Sequence, residues 1–234
     1  MNKKLSIIIP AYNERKTILE ILKKINEVDL DLEKEIIIVD DGSTDGTADI
    51  LKKLDQKQYK IIFKNKNKGK GAAIKTGLQE ATGEIIIFQD ADLEYDPEDY
   101  QDILSPILAG NADVVYGSRF LSGKPKRVIF FWHHLGNNFL TFLSNLLTGL
   151  TLTDMETGCK VFRKEVADSF KHKLSSKRFG IEPELTALVA KGKWRIYEVD
   201  VAYYGRDYSE GKKINWLDGL VAIWHIIRAN LFSR

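Results

Sequence analysis

The stretch Ile85-Ile86-Ile87-Phe88-Gln89-Asp90-Ala91-Asp92-Leu93-Glu94 decides the fold. Four consecutive apolar residues read as a strand buried on both faces, the signature of a parallel sheet covered by helices. The strand then runs directly into Asp90, Asp92 and Glu94. Unpaired carboxylates beside a core are costly, so these acids imply a partner. A hard divalent cation, Mg²⁺ or Mn²⁺, is one such partner, since it takes one or two carboxylates together with substrate phosphates. An acidic loop that merely follows a strand is the plainer alternative.

Outward from this stretch, apolar runs predict strands at 5–10, 35–39, 60–63 and 113–116. Helical spacing predicts helices at 14–28, from the 40–47 turn to about 54, at 69–81 and at 99–108. This alternation of strand and helix implies an α/β fold, a mostly parallel sheet with right-handed crossovers flanked by helices. Ligands of such sheets lie beyond the carboxyl ends of the strands. The segments 10–14, 40–45 and 90–94 all fall at those ends, so three strand ends converge on one site. A dinucleotide fingerprint is absent after the first strand. In Gly69-Lys70-Gly71 the third glycine position is held by Ile74, and no Gly-Lys pair has the rest of a P-loop.

A chain of 234 residues suits one sizeable α/β domain or two small ones. A net charge of +2 argues against a general nucleic-acid binder. The lysines at 57, 60, 64, 66, 68 and 70 read as a solvated basic face. One cysteine, Cys159, rules out an intrachain disulfide or a cysteine metal site and reads as a small buried residue. No signal-peptide pattern and no run of about 18 uncharged apolar residues is present, which predicts no transmembrane helix. The expected location is cytoplasmic. The adjacent His133 and His134 lack a metal-ligand spacing partner.

Taken in order, Pro10-Ala11-Tyr12-Asn13-Glu14, Val39-Asp40-Asp41-Gly42-Ser43, Gly69-Lys70-Gly71-Ala72-Ala73 and Asp90-Ala91-Asp92 resemble family 2 glycosyltransferases of GT-A type. Gly117-Ser118-Arg119-Phe120, Asp154-Met155-Glu156-Thr157-Gly158 and Tyr204-Gly205-Arg206…Gly211-Lys212-Lys213 are similar to the dolichyl-phosphate mannose and glucose synthase branch. The resemblance runs to about residue 215. It implies a catalytic domain over 1–214. Helical spacing of Leu135, Phe139, Phe142, Leu143, Leu146 and Leu147 makes 124–152 an amphipathic acceptor-side segment within it, and that of Leu217, Leu220, Val221, Trp224, Ile227 and Leu231 makes 215–234 an amphipathic helix, which either lies in a membrane interface or closes the core.

The implied activity is metal-dependent, inverting transfer of mannose or glucose from GDP-mannose or UDP-glucose to a polyprenyl or dolichyl phosphate, peripheral on the cytosolic face of a membrane. Asp92 and Glu94 would hold Mg²⁺ or Mn²⁺, which stabilises the departing diphosphate. Glutamine is usual in the branch where Glu94 stands, so an oxygen is kept and a charge added. Pro10, Tyr12, Glu14, Val39 and Asp41 would line the base and ribose, with Asp90 and Ala91 toward the ribose or sugar. A polyprenyl phosphate is already an oxyanion near neutral pH and needs cations more than a base. Arg119, Arg206 and Lys212 match the phosphate positions, Arg127 joins them from a segment that fits the family less well, and Asp90, Asp92 and Arg119 form the implied catalytic set. Glu182 would shape the sugar pocket, or serve as an acid at a helix start. Two alternatives stand beside this reading. A saccharide or glycan acceptor would need a general base, for which no late-chain aspartate is convincingly placed. A non-catalytic nucleotide-binding protein is disfavoured by the intact acids and cations.

Overall fold

The computed structural model describes residues 3–121, 123, 124, 126–128, 130–178, 180–206 and 216–232. The strands among them are β1 (Lys4–Ala11), β2 (Glu33–Asp40), β3 (Tyr59–Phe63), β4 (Ile85–Phe88), β5 (Val114–Ser118), β6 (Lys160–Arg163) and β7 (Ile196–Asp200). They form one sheet in the order β3-β2-β1-β4-β6-β5-β7. β1 is central and carries Leu5, Ile7, Ile8 and Ile9, all wholly buried. Burying each such side chain contributes roughly 1.5–3 kcal/mol, which makes β1 the spine of the domain.

Helices cover both faces, as a run of apolar strands requires. On one side α1 (Ile18–Glu27) and α4 (Tyr100–Leu108) bury Ile18, Ile21, Ile25, Ile103, Leu104 and Ile107. The other side holds α3 (Lys70–Glu80), α5 (Phe131–Thr148), α6 (Lys164–Phe170), α7 (Ile181–Lys191) and α8 (Trp216–Leu231). A Cβ on Gly77 would lie 2.4 Å from Ile8 Cγ2, so the missing side chain is what lets α3 sit down on β1. The short α2 (Thr47–Leu51) follows β2.

One expectation is corrected. Helix α1 begins at Ile18 rather than at residue 14, because Asn13 is left-handed at φ +55° and residues 15–17 form a turn that ends at Thr17 with φ −114°, and hydrogen bonds from 13–15 hold that loop. Asn13 donates to Ser43 Oγ (2.9 Å), Glu14 to Thr47 Oγ1 (2.9 Å) and Arg15 to Asp45 (3.1 Å). The loop after β1 is thereby stitched to the turn after β2. The sheet is mostly parallel, as expected; among the described strands β6 runs antiparallel, to both β4 and β5. After α5 the chain returns to the carboxyl end of β5, where Gly117 N donates to Cys159 O (2.9 Å), and it enters the sheet from that edge.

Candidate active site

At the end of β4 the backbone turns sharply, with Leu93 at φ +65°. A left-handed leucine costs roughly 1–2 kcal/mol, and here the turn folds Glu94 back so that its N–H reaches Asp92 Oδ1 (3.2 Å). Glu94 is held at both oxygens, Oε2 by the Tyr203 hydroxyl (3.1 Å) and Oε1 by the N–H of Arg206 (2.9 Å). The Arg206 guanidinium then spans three acids. Nη2 lies 2.9 Å from Asp92, Nε 3.6 Å from Glu94 and Nη1 3.5 Å from Glu14. Burial, and then the neighbouring Asp90 and Glu94, push the Asp92 carboxyl up to about 7 against the opposing pull of Arg206. Burial works against the charge on Arg206, but Asp92, Glu14 and Glu94 outweigh it and raise its pKa.

Asp90 belongs to a second chain of charges. Lys70 Nζ is 2.8 Å from Asp90 and 3.1 Å from Glu182. Glu182 in turn pairs with the fully buried Lys160. Although burial disfavours the Lys70 ammonium, Asp90 and Glu182 prevail and raise its pKa. Asp41 accepts from the N–H groups of Lys68 (2.8 Å) and Gly69 (2.6 Å), with Lys64 3.3 Å away. It therefore fixes the loop that delivers Lys70. Pro10 and Val39 are paired across β1 and β2. The side chains of Val39 and Ala91 are buried, at 0% and 2% exposure, so backbone is what they offer a ligand. Asn13, beside Tyr12 and Glu14, is left-handed at φ +55°.

Beyond β5, Arg119 makes a two-point bond to the wholly buried Asp154, from Nε (2.6 Å) and Nη2 (2.7 Å). Its guanidinium carbon stands 5.2 Å from the Tyr203 ring and 5.5 Å from the Phe120 ring. A cavity of about 690 Å³ opens here, lined by Arg119, Lys126 and Arg127 and by apolar groups that include Phe120, Val128, Phe130 and Phe131. Arg127 is tied to the segment that follows β7, its backbone N to Tyr203 O (2.9 Å) and Nη1 to Gly205 O (3.0 Å). Tyr203 thus touches both halves, stacking on Arg119 and bonding Glu94. His134 lines the cavity, edge-on to Phe120 at 4.9 Å and bonded to Asn138 at 3.0 Å.

The structure brings Glu14, Asp90, Asp92, Glu94 and Arg206 to one place and Arg119 and Arg127 to an adjoining one. Arg206, assigned from the resemblance to the acceptor phosphate, lies among the carboxylates. Lys212 lies outside the described residues. Sequence reasoning passed over Lys70, Asp154, Glu156, Lys160 and Tyr203. The basic run is not wholly a solvated face, since Lys64 and Lys70 turn inward to Asp41 and Asp90. Lys70 stands between the quoted glycines, and Asp154 and Glu156 are in a quoted motif, so the signal was present.

Carboxylates, a buried lysine and arginines gathered at the carboxyl edge of a mostly parallel sheet mark the place where proteins of this α/β class bind their ligands. Residues 6–170 match the model of glycosyl transferase family 2; the chain belongs to that family and is a glycosyltransferase of GT-A fold. It is 30% identical over 243 residues to the UDP-N-acetylglucosamine–dolichyl-phosphate N-acetylglucosaminyltransferase of Methanococcus voltae, covering 97% of this chain and 96% of that protein. It is 30% identical to the dolichol-phosphate mannosyltransferase of Pyrococcus furiosus, over 89% of this chain and 59% of that one. An uncharacterised protein of Methanocaldococcus jannaschii is also 30% identical, with 97% and 92% covered. Among solved structures, glucosyl-3-phosphoglycerate synthase of Mycobacterium tuberculosis with Mn²⁺, UDP and phosphoglyceric acid superposes with a TM-score of 0.70 at 20% identity, over 99% of this chain and 80% of that one. That likeness is one of fold.

Proposed function

We propose that this glycosyltransferase moves a hexose from a nucleotide-sugar to a polyprenyl phosphate, working as a peripheral protein on the cytosolic face of a membrane. The observation that carries the reading is the cavity beside the carboxylates, which joins three cationic side chains to apolar walls. A phosphate on an isoprenoid tail matches that pairing, because arginine takes phosphate oxygens in two-point contacts while the tail removes apolar surface from water. A saccharide acceptor would leave Val128, Phe130 and Phe131 without a purpose. The dolichyl-phosphate acceptors named for two relatives agree with this.

The acids fit a divalent cation. Asp92 and Glu94 are hard oxygen donors crowded enough to raise Asp92 to about 7, and Arg206 is the cation they now share. They would hold Mg²⁺ or Mn²⁺, which supplies charge stabilisation for the departing diphosphate. Lys70 beside Asp90 would add a fixed positive charge on the same side. Across the site, Arg119 and Arg127 would orient the acceptor phosphate. One of its oxygens forms a bond to the anomeric carbon while the bond from that carbon to the nucleoside diphosphate breaks. An ionised phosphate monoester needs no general base for this step.

The surroundings suit a membrane surface. α5 exposes Phe131, Trp132, Leu135, Phe139, Phe142 and Leu146, and α8 exposes Leu220, Val221 and Trp224. Among the described residues no helix is long and apolar enough to cross a membrane, so these faces suit lying in the interface. The deciding experiment supplies labelled UDP-glucose, UDP-N-acetylglucosamine or GDP-mannose with Mn²⁺, with and without a polyprenyl phosphate. Label extracted into organic solvent only when the lipid is present is the expected result. Label appearing on a saccharide instead, or no acceptor-dependent transfer, would refute the proposal.

A further inference from the structure

The segment Asp154-Met155-Glu156-Thr157-Gly158 ties the two halves of the site together. At one end Asp154 grips the Arg119 guanidinium. At the other, a Cβ on Gly158 would lie 2.3 Å from Asp90 Oδ2 and 3.0 Å from Lys70 Nζ, so the bare glycine backbone lies against both. Between these anchors the segment is fixed. Met155 N donates to Thr141 Oγ1 (3.1 Å), the Thr157 hydroxyl donates to Gly117 O (2.5 Å), and Lys160 binds the carbonyls of both residues. Glu156 stands two residues from either anchor and is the one residue of the five that keeps partial exposure. Its Oε1 is buried and has no hydrogen-bond partner among the described residues. Burial and the nearby Glu182 push its carboxyl up to about 7, opposed by Lys160 and Arg119. Glu182 itself is engaged by Lys70 and Lys160. A buried acceptor left open contributes nothing to folding, and in a native site it calls for an explanation.

We infer that Glu156 binds the sugar in transit, its carboxylate accepting hydrogen bonds from ring hydroxyls of the donor hexose. The inference rests on the donor and acceptor reading above, and the chemistry selects the ligand. A diphosphate on the Lys70 side and a phosphate on the Arg119 side are both anions, which a carboxylate repels. The group that must sit between them is uncharged and rich in O–H donors. Glu156 is then a specificity-determining residue, since a site built to bond a hydroxyl discriminates strongly against ligands that lack it.

Calorimetry on the native protein, E156Q and E156A, in Mn²⁺, tests this with UDP, GDP, UDP-glucose, UDP-N-acetylglucosamine and GDP-mannose. Against the best-bound nucleotide-sugar, E156A should lose about tenfold to a hundredfold in affinity, with E156Q between it and native because its amide oxygen still accepts. Affinity for the bare diphosphate should stay within about twofold, and the ligand-free melting temperature should hold or rise in both variants. Equal losses for diphosphate and nucleotide-sugar, or no loss for either, would overturn the role of Glu156 while leaving the donor reading intact. A native protein that binds none of the nucleotide-sugars would overturn both. Should E156A melt markedly lower, E156Q carries the comparison, and an E156Q indistinguishable from native in nucleotide-sugar binding and turnover overturns the inference.

Discussion

Two charged side chains in this site are held in ways that measurements can read. Arg206 lies against Asp92, Glu94 and Glu14, so a divalent cation held by Asp92 and Glu94, as proposed, would compete with a guanidinium for the same oxygens. Replacing Arg206 by glutamine should therefore tighten Mn²⁺ binding to the nucleotide-free protein by about tenfold, read by titration calorimetry or manganese EPR, while lipid-linked product falls. Asp92→Asn should do the opposite to metal binding, since the proposed ligand loses its charge. An unchanged Mn²⁺ affinity in R206Q would mean that Arg206 does not compete. Glu156 gives a pH test. Its folded value of about 7 lies above the ordinary 4.5, so between those values the folded chain binds more protons than the unfolded one. Stability at this group is then lost as pH rises through the window, with a ceiling of about 3 kcal/mol that partial exposure lowers. The melting temperature of E156Q minus that of native should widen from pH 5 to pH 8 and be smallest at pH 5. A constant difference would contradict the burial argument.

At the scale of elements, the 154–158 segment tolerates little. Gly158→Ala would drive a methyl onto Asp90 and Lys70. Nucleotide-sugar binding should fall by about tenfold or more, with circular dichroism unchanged; normal binding would show that the segment can step back. Helix α8 has a buried face and an exposed one. Ala222, Ile226 and Ala229 are buried and His225 bonds Ser176 (2.9 Å), while Leu220, Val221, Trp224 and Leu231 are exposed. Removing α8 would thus open the core, and point changes on its outer face are the cleaner probe. Leu220→Ser with Trp224→Ser should weaken co-flotation with liposomes several-fold and leave nucleotide binding intact. Undiminished flotation would argue that the outer face of α8 does not meet the membrane. The periodicities that mark β1 to β5 and α3 were plain in the sequence, since they arise from burial on one face or both. The direction of β6 was not, because Lys160–Arg163 is four residues long and its pattern is the same read either way. Lys70 was hidden for a different reason. It ends a run of lysines, and only the crossover from α3 into β4 sets it beside Asp90.

For the whole molecule, the order β3-β2-β1-β4-β6-β5-β7 divides the sheet into two blocks. Strands β1 to β4 come from the first 88 residues and carry Glu14, Asp90, Asp92 and Glu94 at their ends; β5 and β7 carry Arg119 and the run to Arg206. Much of this grouping could be read from the sequence as strand ends converging. The way the blocks join could not, because it depends on a strand inserted out of chain order. That insertion bears on how the protein is made. A ribosome releases the whole first block, with its all-apolar β4 edge, well before residue 160 exists to cover it. Until then the nascent chain presents an open strand edge of the kind that recruits other chains. The same late arrival of Lys160–Arg163 brings the 154–158 bridge into register with Asp90, so the site cannot be complete before the sheet is closed.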